Sequence, residues 1–302
     1  MWFWLALITL LCWSGSDLFS KIGCRDSRDK YSHLKMVMAV GLVMGLHAAW
    51  EIFAGGVEIN LSILMTYLPV SLLYIGSMTL GYVGLRYIEL SISSPICNSS
   101  GALVAVMTLL FVGSEGYTPL ALFAVALVCV GAIGLGVVDS TEDDALRAAR
   151  QREGNYKYAK SALALALPVA YCLLDAAGTF ADNRVLETLN EDSANVAYEL
   201  TFLAAGVLSF IYVVLIKKDR LVPKMELPKY VGAIFETAGQ FAYIYAISDS
   251  AHLAMSAPII SAYCAASVLW SRIFLKEKLS WKHYGMIALV VVGIVIMGVL
   301  DL

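Results

Sequence analysis

Asp17 and Asp175 stand 158 residues apart, and each interrupts a stretch that is otherwise apolar. Glu236 lies inside a third such stretch. His47, Glu51 and Glu199 lie nearer the ends of two more. A carboxyl group in hydrocarbon costs ~3 kcal/mol or more, so groups of this kind usually face a cavity or a partner. Desolvation favours the neutral carboxyl and a nearby cation favours the charged one. Such a group can therefore exchange a proton for a positively charged ligand. Aromatic and amide side chains share these stretches: Trp13, Tyr74, Tyr82, Tyr171, Tyr243, Tyr263, Gln240 and Asn98. Trp and Tyr faces attract ammonium groups, and amides supply hydrogen bonds. The candidate substrate-binding set is thus Asp175 and Glu236, then Asp17, then these aromatic and amide residues with His47 and Glu199.

Each candidate also has a structural alternative. Asp17 precedes Lys21 by four residues, a spacing that suits a helical ion pair. Glu199 fits headgroup level and Glu51 the interface. Any single aromatic could be filling a helix contact. Asn98, followed by Ser99, Ser100 and Gly101 after Pro95, either unwinds locally toward a ligand or hydrogen-bonds a neighbouring helix.

Enzyme chemistry finds little support. The histidines at 33, 47, 252 and 283 form no HExxH, and neither GxSxG nor GxxxxGK[ST] occurs. The six cysteines form no CxxC pair and read as small core residues. No catalytic residue, metal or cofactor is expected, and the loops are too short for a receptor domain. A net charge of −3 predicts no nucleic-acid partner.

What must position these residues follows from composition. Of 302 residues, 60% are hydrophobic and 15% charged, against roughly 25% charged in a soluble domain. Ten apolar blocks run 2–22, 33–54, 62–88, 93–112, 118–138, 158–181, 194–216, 229–248, 252–275 and 282–300. Each matches the ~20 residues that cross a bilayer. Backbone groups in hydrocarbon must pair within the segment, so each block is predicted to be a helix. No basic residue precedes Trp2-Phe3-Trp4, so the first block reads as a retained helix, not a cleaved signal. The expected class is an all-α integral membrane protein of the cell membrane.

Twenty of the 21 Lys and Arg residues fall in odd-numbered loops, and only Arg184 does not. The positive-inside rule then puts both termini outside. A polar linker at 139–157 separates residues 1–138 from 158–302. The halves repeat one another: Pro95, Glu115, Gly131 and Gly136 parallel Pro258, Glu277, Gly293 and Gly298. Gly81 and Tyr87 parallel Gly239 and Tyr245, and Trp13 and Asp17 parallel Tyr171 and Asp175. Five helices per repeat invert the second copy. Inverted repeats suit a carrier that opens one midplane site to either side. Gly41 and Gly45 on the second helix, and Gly131, Gly134 and Gly136 on the fifth, suit close helix packing. Glu115 and Glu277 fit helix ends, where they cap or anchor a turn.

Trp13-Ser14-Gly15 with Lys21, the Pro95…Glu115…Gly131 segment, and Pro258…Glu277-Lys278-Leu279…Gly293 resemble the EamA-type branch of the drug/metabolite transporter superfamily. Phe274 to Ser280 is the most specific stretch. Glu115 to Pro119 is a looser version, and Asp17 is not a family-wide feature. The resemblance spans the chain and implies a ten-helix secondary transporter with a central cavity. It also implies cytoplasmic termini, against the charge count. The expected substrate is a cationic or zwitterionic metabolite, such as an amino acid, amine or quaternary ammonium compound. Protons are the expected coupling partner, with lipid around the protein as monomer or homodimer. A lipid-linked sugar flippase of the same superfamily is the alternative.

Overall fold

The computed structural model describes every residue except 27, 89, 114–116, 142–161 and 302. Most of the predicted 139–157 linker and Glu115 lie outside the described residues. The described residues form an all-helical membrane fold of ten spans. These are α1 (Trp2–Cys24), α2 (Ser32–Trp50, extended by a wider turn at Glu51–Gly55) and α3 (Leu61–Tyr87). Next come α4 in two pieces (Leu90–Cys97 and Ser100–Phe111) and α5 (Pro119–Ser140). The second half contains α6 (Ala162–Val185), α7 (Glu191–Phe210, extended by a wider turn at Ile211–Ile216) and α8 (Pro223–Ser248). It ends with α9 in two pieces (Leu253–Ser261 and Tyr263–Phe274) and α10 (Trp281–Asp301).

Eight of the ten are long and apolar enough to cross a membrane by composition alone. The exceptions, α6 and α8, carry Asp175 and Asp182, and Glu226, Lys229 and Glu236. Their polarity reflects what they line, and they pack against α3 and α1 respectively.

Helix pairing follows an internal two-fold. The main contacts join α1 to α8, α3 to α6, α2 to α7, α4 to α9 and α5 to α10. Advancing every helix number by five exchanges the first two pairs and leaves the other three unchanged. Glycines show the same relation in detail. A Cβ at Gly131 would lie 2.6 Å from Val290 Cγ2 and 2.8 Å from Met286 O. One at Gly293 would lie 2.6 Å from Val128 Cγ2 and 2.8 Å from Ala124 O. On α2, Gly41 packs directly on Gly206 of α7.

These crossings leave no room for a methyl group. Gly131→Ala is expected to cost about 1–3 kcal/mol through overpacking. Gly285→Ala, with open space around it, should leave the melting temperature in detergent unchanged. Equal melting temperatures for the two variants would refute the tight crossing.

Both broken helices break near the middle of their length, just past a proline. In α4, the Asn98 amide donates to Ser94 O at 2.8 Å and the Ser99 hydroxyl to Pro95 O at 2.9 Å. The Ser99 N–H turns to Ile96 O, so the Ser99 hydroxyl satisfies the Pro95 carbonyl that a continuous helix would pair with that N–H, while Ser94 O keeps the Asn98 N–H as well. The two breaks meet at Gly101, whose Cβ would lie 2.4 Å from Ser261 Oγ. Of the two readings open for the segment after Pro95, the chain does break its helix there; the matching break in α9 has no equally polar signal in the sequence. Glu277 reaches across to α4 and accepts from the Ser91 N–H at 3.3 Å.

A buried charge cluster ties the loop ends on the basic face. Lys35 and Lys229 each lie 3.0 Å from an Asp29 oxygen, and Lys229 lies 3.1 Å from Glu226. Arg86 at the end of α3 donates to Asp29 O at 2.8 Å.

A carboxylate-lined central cavity

The most developed cavity lies where α1, α3, α4, α6, α7, α8 and α9 converge. It encloses about 670 Å³ of atom-free space, part of it open to the outside. Asp17, Asp175 and Glu236 all line it. Asp17 accepts hydrogen bonds from the hydroxyls of Ser94 and Ser267, the latter at 2.8 Å. Asp175 accepts from the Ser100 hydroxyl at 2.7 Å, and Glu236 is bonded to the Ser16 hydroxyl. No Lys or Arg appears among the described residues lining the cavity. The Asp17–Lys21 pair offered as the structural alternative is not formed: Lys21 donates to the carbonyl oxygens of Leu85, at 2.7 Å, and Ile88.

The repeat explains why these side chains converge. Gly81 packs on the Tyr171 ring, and Gly239, its repeat equivalent, packs on the Trp13 ring. Each bulky ring at the start of a repeat thus sits against a small residue on the partner helix. Asp17 and Asp175, four residues beyond the two rings, then reach one space.

Aromatic residues form the rest of the wall. The Trp13 ring lies 4.9 Å from Tyr243 and 5.8 Å from Tyr263, and Tyr74 lies 5.9 Å from Tyr198. Tyr82 and Gln240 also line it. The buried atoms Trp13 Nε1, Tyr82 Oη and Gln240 Nε2 have no hydrogen-bond partner among the described residues. Asn98 and Tyr243 line a smaller adjoining space, together with Asp175 and Thr179.

His47 and Glu199 do not line either space. They meet on the α2–α7 contact, with His47 Nδ1 2.9 Å from Glu199 Oε1, and Asn195 donates to the same oxygen at 3.2 Å. Glu199 is fully buried, against the headgroup-level alternative, because this polar trio satisfies it. Tyr198, its neighbour in sequence, faces the cavity instead.

One buried carboxylate escapes a search for isolated acids in apolar blocks. Asp182 lies close to Arg184 and Glu187 and reads as the polar end of a helix. In the fold it is fully buried. Its oxygens accept from Tyr67 at 2.7 Å and Tyr74 at 3.3 Å. The hydroxyls of Tyr74 and Tyr243 touch, and both reach Thr179, at 3.2 and 3.1 Å. This network forms a floor that separates the cavity from the face carrying the chain termini. The missed signal was spacing: Asp175, Thr179 and Asp182 fall at i, i+4 and i+7, one face of a helix.

Residues 164–299 match the model of the EamA-like transporter family. The match covers the second repeat, a little under half of the chain. That repeat is similar to a family of membrane transporters, and the chain has the apolar helices of a multi-pass membrane protein. A crystal structure titled only as that of a protein superposes with a TM-score of 0.66 at 14% sequence identity. The match covers 98% of this chain and 96% of the other. At that identity the likeness speaks for the fold alone. No curated protein matches the chain.

Proposed function

We propose that this EamA-like protein carries a small cationic or zwitterionic metabolite through the central cavity by alternating access, with protons as the coupling ion. One observation carries the reading: three carboxylates share a cavity in which their partners are serine hydroxyls and no basic side chain is present among the described lining residues. A positively charged group entering that space would find both charge and aromatic faces. The unpartnered N–H groups of Trp13 and Gln240 lie beside it. They suit a ligand that also carries an acceptor, as a zwitterion does, because a buried unpaired donor is costly. Protons would occupy the carboxyl groups when the ligand leaves, which keeps like charges from facing each other in the empty site.

A thermal-shift screen of purified protein tests this. Ligands that bind the native state stabilise it, by about 2.7 kcal/mol at a concentration 100 times Kd. Amino acids, amines or quaternary ammonium compounds are expected to raise the melting temperature, more strongly at higher pH. Stabilisation confined to phosphorylated sugars would overturn the proposal.

A further inference from the structure

A second opening lies away from the carboxylate cavity, on the outer side of the α2–α7 pair near the basic face. It holds about 620 Å³ of atom-free space and is lined by Met38, Leu42, Leu203, Val207, Phe210 and Tyr230. Its origin is the crossing of Gly41 on Gly206, which brings the two backbones together and leaves a valley between the flanking side chains. Leu221, in the α7–α8 loop, closes one end. Phe210 to Leu203 covers about 10 Å of helix at 1.5 Å per residue. One leaflet of hydrocarbon is about 15 Å deep. The groove therefore starts at headgroup level and runs most of the way to the midplane.

The end at headgroup level is strongly charged. Lys217, Lys218, Arg220 and Lys224 all lie within four residues of Leu221, and all are exposed. Lys218 adopts a positive φ of 52°, which turns the chain sharply there. Lys217 lies 5.2 Å from the Tyr212 ring. The acid in this loop, Asp219, pairs with Lys35 at 3.4 Å. An apolar channel the length of an acyl chain, capped by exposed cations, matches a molecule with one long tail beside a negative head. Clustered cations next to membrane helices favour anionic headgroups, and each contributes comparably.

We propose that this groove holds an acyl chain of an anionic glycerophospholipid whose phosphate sits among the cations of residues 217–224. The site is independent of the transported substrate.

Full-length protein in detergent is titrated with phosphatidylglycerol or phosphatidylcholine, and retained lipid is counted by native mass spectrometry. Retention of phosphatidylglycerol over phosphatidylcholine is expected. Lys217→Gln/Lys218→Gln/Arg220→Gln should weaken phosphatidylglycerol binding about 100-fold, the factor that three surface cations supply. Val207→Trp keeps every charge and fills the groove, so it should also lose retention. Val207 already faces outward; if its variant does not fold, Leu42→Trp replaces it. Equal retention of the two lipids overturns the proposal. So does full retention by the charge variant. A groove-filled protein that still binds phosphatidylglycerol would reduce the contact to surface charge and overturn the site as well.

Discussion

Asp175→Asn is expected to lose about 30-fold or more in transport of a cationic substrate into proteoliposomes, while melting near the wild-type temperature. Removing one partner of a desolvated charge contact costs roughly 2–5 kcal/mol, and each 1.4 kcal/mol is tenfold. Asparagine keeps the shape of the side chain and an oxygen for the Ser100 hydroxyl, which now bonds Asp175 at 2.7 Å. The fold therefore loses little and the ligand loses its countercharge. Glu236→Gln should behave alike for the same reason, since Ser16 can still bond the amide oxygen. The variants differ from a merely destabilised protein in their pH response. Uptake by the wild type should depend on a proton gradient, and residual uptake by either variant should depend on it less. Wild-type rates in both proteins would remove the carboxylates from the mechanism.

The second large effect concerns the floor. Asp182→Asn should let a membrane-impermeant thiol reagent added on the termini face label Cys97 about tenfold faster, in a protein whose other cysteines are replaced. Cys97 lines the cavity, and the Asp182 network lies between it and that face. The carboxylate of Asp182 accepts from both Tyr67 and Tyr74. Hydrogen bonds to a charged group contribute about 1.5–3 kcal/mol, so losing one shifts an opening equilibrium by tenfold or more. Asparagine keeps one acceptor oxygen and turns its NH₂ toward a hydroxyl that now donates. The Tyr74–Tyr243 contact then has less to hold it. Tyr67→Phe, which removes one donor to Asp182, should act in the same direction. Labelling at the wild-type rate in both variants would mean that the floor is held by other contacts and that Asp182 is only a buried anchor.

These outcomes also bear on the internal two-fold. Asp17 and Asp175 are repeat equivalents, yet Asp182 has Cys24 at the matching place in the first half. The floor thus joins Asp182 and Thr179 of the second repeat to Tyr67 and Tyr74 of the first, with no matching acid in the first half. On the basic face, α1 and α3 are tied by Lys21 to the carbonyls of Leu85 and Ile88. The two sides of the cavity thus carry different chemistry, a carboxylate with tyrosines on one and a buried ammonium bonded to backbone carbonyls on the other.

Much of this was legible in the chain itself. Apolar block length alone predicts ten helices, and the observed bounds depart by a few residues, most at the start of α8. A span needs a fixed number of residues, and hydrocarbon forbids unpaired backbone, so this part of the problem is one-dimensional. Duplication is visible in the matched glycines and prolines because close helix crossings admit nothing larger. Deep acids announce themselves by their cost, which is why Asp17, Asp175 and Glu236 stood out. Convergence is a different matter. Nothing in residue order states that Glu236 faces the same space as Asp175, that Glu199 turns the other way to meet His47, or that Lys21 passes over Asp17 for two carbonyls. Those outcomes depend on the rotation of each helix about its axis, and rotation is set by which small residue meets which ring on a neighbour. Trp13 against Gly239 and Tyr171 against Gly81 decide it here. Asp182 stayed hidden because its polar neighbours resemble a helix end, and only the packing of α3 and α8 around it makes it a buried part of the cavity floor.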